Sequence, residues 1–245
     1  MGPRFASSSA SHAALAAAVL AGALGGAPGC GPSIDPAAQA DLDRKLSQIE
    51  TSEETFPPSE SYSPMAFNVG QWTEHRITDD KGRKSLVTNR LVGQEEGAYW
   101  LEVVNESGQG REAVRLLVAM PAGRDPAGME IRTLLFRKGT DQPKAVDPRT
   151  GDPEIRARAR AALDLLAVPG EGDEKDDVRV PGGHFIGCYR IDTQGAWGPF
   201  QAPADLCTHP SVPLSGVVRA ISASPTKPGL VELISFGVTG AESVF

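Results

Sequence analysis

The 245-residue sequence predicts an α+β fold, a curved antiparallel β-sheet covered by one or two helices. Three observations carry this reading. From residue 65 onward, runs rich in Val, Ile, Leu, Thr and aromatic residues alternate with short Gly-, Asp- and Ser-containing separators, the pattern of strands joined by tight turns. Two segments, 36–50 and 152–166, start at Asp35-Pro36 and Asp152-Pro153 and then space apolar residues at helical intervals. The chain holds 27 Gly and 20 Pro, a turn-rich composition, and its 40% hydrophobic content is enough to build a core.

The first 29 residues have the parts of a secretory signal peptide. Arg4 is followed by small polar residues, then by a 12-residue apolar run over 13–24, then by Gly-Gly-Ala-Pro-Gly. Such a run is too short to span a bilayer as a stable helix. "GAPGC", residues 26–30, resembles the lipobox of bacterial lipoproteins, with Gly29 fitting the position before the cysteine. Ala27 stands where that family prefers Leu, and Pro28 where it prefers Ala or Ser. The resemblance implies cleavage before Cys30, lipidation of Cys30 and a membrane anchor at the new N-terminus. Gly31, in place of a retention Asp, implies delivery to the outer membrane, facing the periplasm. The other reading is ordinary cleavage after Ala21-Gly22-Ala23 and a soluble secreted protein.

Cysteine parity bears on this choice. The chain has three cysteines, Cys30, Cys188 and Cys207. With lipid on Cys30, the other two remain as a pair, either bridged or as two buried thiols. In an oxidising compartment a bridge would close a loop of about 20 residues and contribute roughly 3 kcal/mol.

Residues 30–64 read as a lipidated tether, a short helix and a linker, ahead of a domain over 65–245. Asp35-Pro36 starts the helix. Ala38, Leu42, Leu46 and Ile49 form a narrow apolar stripe, which either docks on the domain or touches nothing. Residues 51–64, "TSEETFPPSESYSP", are polar and Pro-containing, and predict an extended, mobile linker. Five strand-like runs follow between 65 and 139, separated by turn chemistry at 79–82, 93–97, 107–110 and 121–123. Asp152-Pro153 starts the second helix, with Ile155, Ala159, Ala162, Leu163 and Leu166 on one face and Arg156, Arg160 and Asp164 on the other. An acidic run at 171–177, "EGDEKDD", precedes three further strand runs.

Net charge is −7, which argues against nucleic-acid binding and against electrostatic adhesion to an anionic bilayer. The sequence holds no H-E-x-x-H, C-x-x-C or G-x-S-x-G pattern and no phosphate-cradling glycine loop. His75, His184 and His209 would have to be gathered with carboxylates from distant segments to hold a metal. Ser211 and Ser215 beside His209 are the candidates for a nucleophile. These readings give no catalytic residue, metal or cofactor.

"VPGGHF", residues 180–185, and "HPSVPLSGVVRA", residues 209–220, resemble segments of uncharacterised envelope lipoproteins. The order of elements over 36–245 is similar to that of LolA/LolB-like lipoprotein carriers. The resemblance implies an unclosed half-barrel whose concave face is plugged by helices and holds acyl chains. The stripe of Ile155, Ala159, Leu163 and Leu166 would then line a site for a lipid or other apolar ligand. The function expected on this basis is non-enzymatic binding by a lipid-anchored envelope protein. A structural or protein-interaction lipoprotein with a filled concave face is the second reading, and an envelope hydrolase the third.

Overall fold

The computed structural model describes residues 33–121, 128–164, 166, 172, 174–193, 195–200 and 202–245. The signal segment, the lipobox with Cys30, and residues 122 and 123 of the expected turn at 121–123 lie outside these.

Helix α1, Pro36–Ser47, begins where the sequence places it. The Asp35 carboxylate accepts from the backbone N–H of Ala37 at 2.9 Å and of Ala38 at 3.4 Å, and Pro36 takes the first helical position. Twelve strands then form a single sheet: β1 Thr55–Phe56, β2 Trp72–Thr78, β3 Lys84–Glu95, β4 Ala98–Ser107, β5 Gly110–Ala119, β6 Glu130–Lys138, β7 Lys144–Val146, β8 Lys175–Val180, β9 Gly183–Asp192, β10 Ala204–Thr208, β11 Val217–Ser222 and β12 Leu230–Gly237. Helix α2, Pro153–Asp164, joins β7 to β8.

The sheet is two meanders zipped together. β2 to β7 follow one another in space, as do β9 to β12, and the antiparallel ladder of β12 on β2 unites them. β8 folds back on β9 through the two-residue turn Pro181-Gly182. Thr55 and Phe56 of β1 pair in parallel with His184 and Phe185 of β9, the one parallel ladder described. The sheet does not close, and its free edges are β7, β8 and the two-residue β1. Register shifts interrupt five of the ladders, and such bulges bend and twist strands locally. β8 packs back across β11 and β12. The α+β class with an unclosed, largely antiparallel sheet is therefore present.

Turn chemistry explains the tight register. Glu96 and Gly97, at φ of 48° and 76°, form the two-residue link between β3 and β4. Positive φ at both central residues marks a type I′ turn, whose twist matches that of the flanking strands.

The two helices lie on opposite faces of the sheet. α2 covers the face bearing Leu91, Leu101, Leu116 and Leu134, which stand side by side across β3 to β6. α1 packs on the β4–β5 hairpin from the side of Glu106, where Lys45 Nζ meets Glu106 Oε2 at 2.6 Å. Leu42 of its stripe is fully buried, so the helix docks. The family resemblance implied helices on the concave face; α1 is instead on the reverse side, where Ala38, Leu42 and Lys45 lie beside Glu106 and Arg111 of the β4–β5 hairpin.

Residues 51–64 are extended, as expected, but they are strapped to the sheet. The N–H groups of Ser52 and His184 bond to the carbonyls of Pro181 and Glu54. Phe56 stacks on Phe185 with ring centroids 4.5 Å apart, and Tyr62 packs on Tyr189. The polar composition hid two aromatic anchors. The boundary drawn at residue 64 therefore falls inside one compact unit, Ser33–Phe245.

Candidate functional site

Period-2 alternation fixes which side chains share the face under α2. Three successive cross-strand rows run over β3 to β5. The first is Leu91, Leu101 and Leu116; the second is Asn89, Val103 and Val114; the third is Val87, Asn105 and Glu112. α2 seals the first row. Ala159, Leu163 and Leu166 are fully buried there, with Leu134, Met129 and Leu214, while Ile155 packs at the margin.

Beyond that row the cover thins and a cavity of about 360 Å³ remains. Its floor is apolar: Ile77, Val87, Val103, Val114 and Phe136. Its rim is polar: Ser85, Asn105, Ser107, Gln109 and Glu112 from the sheet, and Arg158 from α2. The helix borders it with Ala161 and Ala162, side chains too short to fill the space. Pro199 of the β9–β10 connection closes another side. Volume and lining match small-molecule pockets, which run from about 300 to 1,000 Å³ with apolar walls and a few polar groups.

The rim is electrically balanced. Arg158 Nη1 is ion-paired with Glu112 Oε2, fastening α2 to β5 beside the cavity. Asn105 Oδ1 is buried without a hydrogen-bond partner.

The stripe residues expected to bind ligand have a different place. None of Ile155, Ala159, Leu163 and Leu166 is among the described residues lining the cavity. They face the core under the first row, whereas the cavity borders the next face of the helix, at Arg158, Ala161 and Ala162. The alternation of Val87, Val103, Asn105 and Val114 could have pointed to the floor. The adjacent alanines in α2 could have marked where the cover is thin.

Cys188 and Cys207 form a disulfide, with Cα atoms 5.5 Å apart. It joins β9 to β10 and closes the connection that carries Trp197, Pro199 and Phe200. Both cysteines are buried in a second cluster with Val178, Val180, Phe185 and Leu233. The bridge therefore stiffens the end of the sheet from which Pro199 reaches the cavity.

The histidines serve packing. His75 is fully buried in β2. Its Nε2 donates to the Val217 carbonyl at 3.0 Å and its Nδ1 has no partner. Burial holds its pKa down to about 4, from an ordinary 6.5. His209 donates from Nε2 to the Pro57 carbonyl at 3.2 Å, and its Nδ1 accepts the Ser211 N–H at 3.2 Å. Burial lowers its pKa also. Both ring nitrogens thus face backbone groups, and neither hydroxyl of Ser211 and Ser215 is its partner. His184 lies in β9 between β1 and β8. Among the described residues, no group of three or more His, Cys, Asp or Glu side chains is placed to hold a metal ion. No described helix is long and apolar enough to cross a membrane.

No protein-family model matches the chain, and no curated protein matches it. Among solved structures, the 2.0 Å structure of the hypothetical protein CT021 from Chlamydia trachomatis is similar at a TM-score of 0.38 and 10% sequence identity, over 72% of this chain and 90% of that one.

Proposed function

We propose that this chain is a lipid-anchored protein of the cell envelope, non-catalytic, that takes an apolar ligand or lipid into the cavity between α2 and the sheet. The observation that carries the reading is the cavity itself: about 360 Å³, floored by Val87, Val103, Val114 and Phe136 and rimmed by polar side chains. The unclosed sheet with α2 on its inner face supports a LolA/LolB-like half-barrel. The lipobox-like segment at 26–30 supports an anchor on Cys30, outer-membrane placement and a periplasmic domain.

The test is fluorescence titration of the mature protein with N-phenyl-1-naphthylamine, which brightens in apolar surroundings. Saturable binding is expected, and Ala161→Phe, which fills the cavity, should abolish it while leaving the denaturant midpoint near that of the wild type. Absence of binding by the wild type would overturn the reading. For the anchor, Cys30→Ser should release the protein from the membrane fraction or block its processing. Normal maturation and membrane partition of that variant would overturn the lipobox assignment.

A specific observation favours a second reading, a structural or protein-interaction lipoprotein. Leu163 and Leu166 already seal the first row of the inner face completely. In that case the titration shows no binding and the domain acts through its surface.

A further inference from the structure

The position of α1 decides which end of the sheet a lipid on Cys30 would hold against a membrane. The helix begins at the tip of the β4–β5 hairpin, where the Asp35 N–H donates to the Gly108 carbonyl at 2.8 Å. Burial of Leu42 and the ion pair of Lys45 with Glu106, at 2.6 Å, hold it there. Cys30 precedes Asp35 by five positions. Extended chain reaches at most about 3.6 Å per residue, so the hairpin tip lies within about 18 Å of an acylated Cys30. Antiparallel pairing gathers the β2–β3, β4–β5, β6–β7, β9–β10 and β11–β12 connections at this rim of the sheet, and the β3–β4, β5–β6, β8–β9 and β10–β11 connections at the far one. Strand β3 is 12 residues long, and at about 3.3 Å per residue the two rims are on the order of 30 Å apart.

Two properties separate the rims. The first is charge. Among the described residues, the near-rim connections carry Lys81, Arg83 and Lys227 against Asp79, Asp80 and Asp141, and so are neutral in a chain of net charge −7. The far-rim connections carry Glu96 and, among their described residues, no lysine or arginine. A neutral rim approaches anionic headgroups without the repulsion that an acidic one meets. The second is the cavity under α2. Ser107 and Gln109 at the β4–β5 tip and Pro199 of the β9–β10 connection border it, and no described residue lining it comes from a far-rim connection.

We infer that the domain docks on a lipid surface through the near rim, with the cavity on the membrane side, and that the short tether into α1 sets this orientation. The inference rests on the anchor reading above and adds the interaction surface.

The experiment places one fluorophore at a time on the mature, lipidated full chain, through Lys81→Cys or Thr226→Cys at the near rim and Gln94→Cys beside the far rim. All three residues are exposed, so the comparison does not depend on a variant that fails to fold. Each labelled protein is reconstituted into vesicles of phosphatidylethanolamine and phosphatidylglycerol that include a lipid with a nitroxide on its headgroup, a contact-range quencher. The labels at positions 81 and 226 should lose most of their fluorescence, while the label at position 94 keeps it. Inserting about twenty Gly and Ser residues after Gly31 adds a flexible span of about 25 Å, and the near-rim loss should then largely disappear. If position 94 is quenched as strongly as 81 and 226, the inference is wrong and the anchor reading stands. If near-rim quenching survives the long linker unchanged, the tether does not set the orientation and that part of the inference is wrong. If the wild type floats with vesicles no better than Cys30→Ser, the anchor reading fails and takes the inference with it.

Discussion

Arg158 in α2 is ion-paired with Glu112 in β5, and both side chains border the cavity. The Arg158 side chain is 45% exposed, against 22% for Glu112, so water screens the pair. Arg158→Ala should cost less than about 1 kcal/mol in a denaturant melt. The same change removes one wall of the mouth. Dissociation of a bound apolar probe, followed by stopped-flow fluorescence, should therefore speed up while stability barely moves. Loss of several kcal/mol with unchanged dissociation would show that the pair holds the fold and not the mouth.

Leu163 and Leu42 anchor the two helices to opposite faces, and both are fully buried. Leu163→Ala and Leu42→Ala should each cost about 2–5 kcal/mol, through lost burial and the cavity left behind. The two sites share no core cluster, so the double variant should be additive within about 0.5 kcal/mol. A near-zero cost for Leu42→Ala in urea denaturation would mean that α1 rides on the surface without being held by it.

The disulfide of Cys188 and Cys207 spans 19 positions of sequence. Thiol labelling of the denatured, unreduced mature protein should find neither cysteine free. Replacing both by Ala should destabilise the domain by about 2–4 kcal/mol, since the open chain gains loop entropy on unfolding. Two labelled thiols would refute the bridge.

Stability should fall on mild acidification. His75 is neutral in the folded protein, with its pKa pressed to about 4 from 6.5. As pH falls below about 6.5, the unfolded chain takes up a proton that the folded chain refuses, so stability declines through this window and levels off below about 4. The loss attributable to His75 is on the order of 3 kcal/mol. His209, shifted in the same direction, adds to it. Urea midpoints measured from pH 7.5 to 4.5 should drop steadily for the wild type and less steeply for His75→Leu. An unchanged slope in that variant would exclude His75 as the source.

Local chemistry was legible in the sequence wherever a few adjacent residues decide the outcome. Asp35-Pro36 and Asp152-Pro153 start both helices because the cap and the fixed φ act within one turn. The strand runs at 84–93, 98–107 and 112–120 stood out because their apolar alternation is long and their turns short. Less visible was anything set by partners far along the chain. β1 is two residues long and exists only because Phe56 finds Phe185. Pro181 and Gly182 turn the stretch over 175–192 into the hairpin of β8 and β9. The side of the sheet chosen by α1 depends on β4 and β5, where Glu106 meets Lys45 from 61 positions along the chain. The cavity was hidden for a related reason: it is defined by what Ala161 and Ala162 fail to fill, and a deficit of volume has no residue signature of its own.

The unclosed sheet leaves edges at β1, β7 and β8, and their make-up bears on how the molecule behaves in a crowd. At high local concentration, exposed backbone at a sheet edge recruits neighbouring chains. β7 is three residues long and begins with Lys144. β8 presents Lys175, Asp176, Asp177 and Arg179, all exposed, with only Val178 and Val180 turned inward. β1 and β7 are too short to template another strand, and β8 carries charge of both signs that a second copy could not desolvate. The architecture can therefore remain open as a sheet without polymerising edge to edge.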